Sequence, residues 1–219
     1  IIELPSNPML KCANIKKISK IAKKLNIPII TDDTIASNVN IESLQYSDIS
    51  FSSLTKIFSG SGDILAGSLI INSNSKWFKE LQNALKTIDL PKLSDGDIVS
   101  LEKESRDFEN RVDRQNKSCL FLKNKLENHR SIKNIFHPEN CPNFNSIIRS
   151  GGGYGCLLSF ELKGGIEKAK KFYDSIKISK GPSLGNKFTL VCPYVQLAHY
   201  RELDWAESFG VPSHLIRVS

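Results

Sequence analysis

Two stretches decide the fold: Ile27-Pro28-Ile29-Ile30-Thr31-Asp32-Asp33 and Asp48-Ile49-Ser50-Phe51-Ser52-Ser53-Leu54-Thr55-Lys56. Each is a run rich in apolar and β-branched residues that ends on a charge, the pattern of a short buried strand whose end reaches the edge of a sheet. Upstream, Ile15, Ile18, Ala22 and Leu25 recur at helical spacing and Pro28 follows, so a helix leads into the first strand. Downstream, Gly67-Ser68-Leu69-Ile70-Ile71 reads as a third strand, and Trp77, Phe78, Leu81, Ala84, Leu85 and Ile88 restore the helical period. This alternation predicts a largely parallel α/β sheet.

Beyond a loop containing Pro91, Ser94 and Gly96, the residues Ile98, Leu101, Phe108, Val112, Cys119, Leu122 and Leu126 fit one apolar helix face. That face predicts a single connecting helix over 97–130. After the Gly151-Gly152-Gly153 turn, Cys156 to Leu162 reads as a strand, Ile166 to Ile176 as an amphipathic helix, and Phe188 to Val191 and Leu215 to Val218 as short strands. Together these make a small α+β unit. The last run, Leu215-Ile216-Arg217-Val218, reads as an unfinished strand, and with Met9 the only methionine the chain is expected to be a fragment.

Composition narrows the class. The 219 residues are 40% hydrophobic and 24% charged, which suits a folded chain and leaves no stretch of membrane-spanning character. The net charge is +7, but acids are interleaved with bases nearly everywhere. The one unmixed run, Lys16, Lys17, Lys20, Lys23 and Lys24, reads as the solvated face of the first helix, so neither nucleic acid nor a membrane is expected as a partner. Cys12, Cys119, Cys141, Cys156 and Cys192 form no paired spacing, which argues against a disulfide framework or a zinc site and for a reducing, cytoplasmic setting. His129, His137, His199 and His214 also lack metal spacing, so no metal is expected. Asn116-Lys117-Ser118 matches a glycosylation sequon that arises easily by chance.

Lys56 is the first residue with chemistry to offer. Ligands of α/β sheets bind at strand ends, and a lysine held near apolar surface can attack a carbonyl to form a Schiff base. Alone it reads more readily as a surface lysine, since lysines at strand ends are common. Asp32 ends the preceding strand, so the two residues can face one pocket. An amine and a carboxylate are the pair that pyridoxal 5′-phosphate needs: one holds C4′, the other keeps the pyridine nitrogen protonated. Ser53 and Thr55 add hydroxyls for phosphate oxygens. Alone, Asp32 is also a strand-end carboxylate, and Arg217 an arginine that snorkels from an edge strand.

With these residues in view, the chain resembles a family. Pro5-Ser6-Asn7-Pro8, Asp32-Asp33-Thr34, Ser53-x-Thr55-Lys56 with Gly60 and Gly67, Ser183-Leu184-Gly185 and Leu215-Ile216-Arg217-Val218-Ser219 are similar, in order, to the Cys/Met-metabolism enzymes dependent on pyridoxal phosphate. These are the transsulfuration enzymes, such as cystathionine γ-synthase and γ-lyase. The resemblance implies fold type I, the aspartate aminotransferase-like α/β architecture. It divides the chain into the latter part of a large cofactor-binding domain (1–96), a connecting helix (97–130) and an incomplete small domain (131–219). It implies Lys56 as the cofactor and proton-transfer lysine, Asp32 at the pyridine nitrogen, Ser53 and Thr55 at phosphate, and Asn7 beside cofactor and substrate. Arg217 would clamp the substrate carboxylate, supported by Ser183. It also implies small amino-acid substrates and a homodimer or homotetramer, and it places the ring-stacking tyrosine and glycine-rich phosphate contacts ahead of Ile1.

Departures qualify the reaction. Asp33 stands where most of the family has asparagine, Ser59-Gly60 replaces a glycine pair, and Glu104-Ser105-Arg106-Asp107-Phe108 replaces another typical motif. Gly181 to Gly185, Ala198-His199-Tyr200 and Leu203-Asp204-Trp205 resemble the fungal cystathionine γ-synthase-like subgroup. The implied reaction is γ-replacement of an activated homoserine ester by cysteine. A γ- or β-lyase and a non-catalytic remnant stand as alternatives.

Overall fold

The computed structural model describes residues 1–219. The chain begins with β1 (Ile2–Glu3), α1 (Ile15–Leu25), β2 (Ile30–Asp32), α2 (Ser37–Asn40), β3 (Ile49–Ser53), β4 (Gly67–Ile71) and α3 (Phe78–Lys86). The strands form one sheet in the order β1-β2-β3-β4. β1, β2 and β3 are parallel, with Glu3 opposite Asp32 and Asp32 opposite Phe51. The sheet is largely parallel as expected, with β4 the exception, running antiparallel to β3. Between them the chain makes only one irregular turn over Leu54–Phe58 and a loop. A connection without a crossover helix returns the chain in the opposite direction.

Asn14 caps α1, accepting the Lys17 N–H at 3.0 Å, and Asn26 ends it in the left-handed conformation at φ 59°. The helix buries Ile15, Ser19 and Ala22, while Leu25 is exposed, so its apolar stripe is one turn shorter than its spacing predicts. The five lysines all lie on its exposed side.

The single connecting helix is two: α4 (Asp95–Ser105) and α5 (Phe108–Glu127). Asp107, at φ −111° and ψ 7°, leaves the helical region between them. The break turns Phe108 inward, its ring 4.9 Å from that of Phe58. On α5, Asn116 exchanges amide hydrogen bonds with Asn40 and accepts the Gly155 N–H at 2.7 Å, so the sequon is occupied by internal bonding.

The rest of the chain runs β5 (Ile132–Phe136), α6 (Pro142–Asn145), β6 (Leu158–Leu162), α7 (Gly165–Ser175), β7 (Ser179–Lys180), β8 (Leu190–Pro193), α8 (Tyr194–Ala198), α9 (Leu203–Ser208) and β9 (Ile216–Val218). These strands form a second sheet, β5-β6-β9-β8-β7. β9 is therefore central, and places Arg217 opposite Ser159 on one side and Cys192 on the other. Part of 131–219 packs elsewhere: Cys141, Phe144 and Ile147 join Leu4, Cys12, Ile15, Ala22 and Ile29 in the core beside the first sheet. A second core, containing Ile57, Phe108, Val112, Leu157 and Leu184, lies directly behind the Lys56 turn and ties the two sheets together. No helix is long and apolar enough to cross a membrane.

Candidate active site

The parallel register sets the site. Side chains alternate along a strand, so the adjacent residues Asp32 and Asp33 leave β2 in different directions. Asp32 is half-buried and accepts the Thr34 N–H at 2.9 Å. Asp33 is buried and accepts hydroxyl bonds from Ser43 and Ser50, both at 2.8 Å, and a very short one from Ser52. The two aspartates therefore divide the work: Asp33 fastens β2 to β3, which leaves Asp32 facing the strand ends.

There a cavity of about 190 Å³ is lined by Asp32, Lys56, Ser53, Asn7, Glu3 and Thr34, with Leu184 behind. The pocket expected of Asp32 and Lys56 is thus formed, and Ser53 and Asn7 reach it. Ser53 is fixed by its own N–H, which donates to Thr34 Oγ1 at 2.8 Å. Thr55 stays out: its hydroxyl accepts the Ala66 N–H at 3.2 Å and is turned toward the returning chain. The volume is below the roughly 300 Å³ at which ligand pockets begin, so these residues form one wall of a site.

Arg217 adjoins this wall through Asn7. Its side chain is 2% exposed. Nη1 donates to Asn7 Oδ1 at 3.3 Å, and Nη2 donates to the carbonyls of Pro182 at 2.5 Å and Ser183 at 3.0 Å. Ser183 supports the guanidinium as expected, through its backbone carbonyl. The Arg217 Nε, buried, has no partner. Three bonds on a group with five N–H donors leave donors to spare, and a buried cation without an anion is costly. A carboxylate would meet both needs.

Two residues escaped the sequence reading. Tyr194 lies beneath Arg217, ring centroid 4.7 Å from Cζ, and its hydroxyl accepts from Asn7 Nδ2 at 3.2 Å. Burial pushes its phenol up, while Arg217 opposes that shift. Glu3 brings a second carboxylate beside Asp32; burial raises its pKa, the Asn7 N–H opposes that, and the Asp32 charge adds to it. The glutamate before Pro5 was a visible signal; nothing about an isolated tyrosine after Pro193 marked it.

An amine, a carboxylate and a hydroxyl on one wall fit pyridoxal phosphate: the amine suits its aldehyde, the carboxylate its pyridine N–H, the hydroxyl its phosphate. The whole chain, residues 1–219, matches the family described as Cys/Met metabolism PLP-dependent enzyme. The chain belongs to that family. It is 42% identical over 224 residues to a cystathionine γ-synthase of Neurospora crassa, covering 99% of this chain and 35% of that protein. It is 39% identical over 229 residues to the cystathionine γ-synthase of Saccharomyces cerevisiae, covering all of this chain and 36% of the relative. Among solved structures, cystathionine γ-synthase from Xanthomonas oryzae pv. oryzae superposes with a TM-score of 0.85 at 22% identity, over 100% of this chain and 57% of its own. That likeness shows the fold of the Cys/Met-metabolism enzymes. The chain thus spans little more than a third of these two relatives and just over half of the solved neighbour.

Proposed function

We propose that the protein carrying this chain is a cystathionine γ-synthase-like enzyme, replacing the acyloxy group at Cγ of an activated homoserine ester with the thiol of cysteine. The observation that carries the reading is the joining of Lys56 and Asp32 on one cavity with a buried, under-partnered Arg217 beside it.

When bound, pyridoxal phosphate supplies an electron sink that stabilises negative charge at the substrate's α-carbon. Lys56 presents the amine that holds it, and the same amine removes the substrate's α-proton and serves the later transfer at the β-carbon. Asp32, kept clear of the serine cluster by Asp33, provides the charge that keeps the pyridine nitrogen protonated. Ser53 donates toward phosphate. Arg217 seats the substrate carboxylate, and Asn7, bonded to both Arg217 and Tyr194, holds that seat against the cavity wall. The site would act within a homo-oligomer.

The test is product analysis on the natural full-length protein. With O-acylhomoserine and cysteine, cystathionine should form; with cystathionine alone, little keto acid should be released. Release of cysteine with 2-oxobutanoate, or of homocysteine with pyruvate, would replace the synthase reading with a γ- or β-lyase. Lys56→Ala should abolish turnover and borohydride-fixable cofactor. A protein active without Lys56 would remove the whole assignment.

A further inference from the structure

We propose that Arg111, on α5, is a positioning residue for Lys56, holding from behind the turn that carries the lysine. The inference rests on the role given to Lys56 above. That turn is irregular, because Lys56 itself, at φ −87° and ψ −116°, interrupts it. Its backbone accounting shows what Arg111 does. The Leu54 carbonyl takes the Ser59 N–H at 2.9 Å, and the Lys56 carbonyl takes the Gly60 N–H at 2.8 Å. The carbonyls of Ile57 and Phe58, the two residues after the lysine, are met by Arg111: Nη2 donates to Ile57 at 3.3 Å and makes a very short bond to Phe58. Buried carbonyls need such partners.

The guanidinium is built into place. Arg111 is 4% exposed, and its nearest anion is Glu104, whose carboxylate lies 3.8 Å from Nη1 and is shared with Lys187. Gly60 closes the turn at φ +67°, and a Cβ there would stand 3.0 Å from Arg111 Nε and 3.2 Å from Lys187 Cγ, so glycine lets the arginine lie flat against the chain. One helical turn earlier, Phe108 packs on Phe58 and fixes α5 against the same segment. A buried ion is costly, and an apolar side chain of similar volume fills such space at lower cost. Packing alone would not select a buried cation here; two adjacent carbonyls that share the two N–H groups of Nη2, with Nη1 turned to Glu104, need a side chain with several donors.

The experiment follows attachment of the cofactor to Lys56 and needs no turnover. Pyridoxal phosphate is added to cofactor-free, full-length protein, samples are quenched with borohydride over time, and pyridoxylated Lys56 is counted by peptide mass. Arg111→Met should attach about tenfold more slowly, as expected when a reacting group loses its orientation, and Arg111→Lys should fall between it and the unaltered protein. Amide hydrogen exchange at Ser59 and Gly60 should quicken in both. Phe172→Leu, on α7 and packed against the core of the second sheet, is the control for lost stability and should attach at the unaltered rate. If Arg111→Met does not fold, Arg111→Lys carries the test. Unaltered rates in the Arg111 variants, or equal slowing in Phe172→Leu, would overturn the inference. Failure of the unaltered protein to attach the cofactor at Lys56 would instead overturn the proposed function and remove the ground on which this inference stands.

Discussion

Arg217 Nη1 donates to Asn7 Oδ1 across 210 positions of sequence, joining the central strand of the second sheet to the loop that follows the first strand of the chain. The seat for a substrate carboxylate is therefore shared between both parts of the molecule. Arg217→Lys keeps the charge and loses the fork. A lysine cannot satisfy Asn7, Pro182 and Ser183 while also presenting two parallel donors, so KM for the amino-acid substrate should rise on the order of 30–100-fold, the equivalent of about 2–3 kcal/mol of charge-assisted bonding, with a smaller fall in kcat. Steady-state kinetics on the full-length protein check this; unchanged KM would place the carboxylate elsewhere.

Gly185 should not tolerate a side chain. At φ +77° a Cβ would lie 2.6 Å from the backbone nitrogen of Ile57 and 2.8 Å from its Cα, and neither can swing aside. Gly185→Ala combines left-handed strain with a forced shift of the residue next to Lys56, and should cost about 3 kcal/mol. Urea unfolding gives the loss directly. Cofactor attachment should slow with it, whereas Gly210→Ala, at φ +75° with open space around the added atom, should cost only the backbone strain, about 1 kcal/mol.

Much of this site was readable before any coordinates. The apolar runs ending at Asp32 and Lys56 are local signals, and the alternation of helices and strands along the chain carries the expectation of parallel pairing that the two strands show. What stayed hidden depends on long-range packing. The antiparallel return of β4 is decided by a loop too short for a crossover helix. The break at Asp107 is decided by Phe108 burying itself against Phe58. β5 and β7 pair only because β6 and β8 offer their edges, since Ser179-Lys180 has no strand pattern of its own. Thr55 and Ser183 sit inside recognisable motifs, yet one hydroxyl turns to Ala66 and the other residue contributes only its carbonyl. Arg111 carries no local signal in the sequence, because the carbonyls it meets are main-chain atoms 54 and 53 positions away.

His137 makes stability depend on pH. It is 2% exposed, and burial pushes its imidazole down to about 4 from an ordinary 6.5, with Lys123 adding to the shift and Glu139 opposing it. The folded chain thus holds this histidine neutral where the unfolded chain would protonate it. The contribution is fully present above pH 6.5 and is lost as pH falls toward 4, amounting to about 2 kcal/mol between pH 7.5 and 5. Its Nδ1 accepts the Glu139 N–H at 3.3 Å, a capping bond that asparagine can also make. His137→Asn should therefore unfold at a urea midpoint that changes much less between those two pH values. An unchanged pH dependence would mean that the imidazole takes up its proton over the same pH range folded as unfolded.

Asp33 marks the departure from the family's asparagine, and the serine cluster accounts for it. Ser43 and Ser50 donate to one carboxylate oxygen and Ser52 to the other. A carboxylate can only accept, so all three hydroxyls can point at it, whereas an amide has one accepting atom and one donating atom. Asp33→Asn should reverse the bond at Ser52 or Ser50 and leave the cluster serviceable, at about 1 kcal/mol. Asp33→Ala leaves buried hydroxyls without an acceptor and loosens β2 from β3, at about 3 kcal/mol in all. The decisive comparison is functional: because Asp33 acts by fixing the register that aims Asp32, Asp33→Asn should retain most of kcat, while Asp33→Ala should lose about tenfold or more with cofactor still attached to Lys56. Equal activity in the two variants would show that the cluster holds the strands without setting the direction of Asp32.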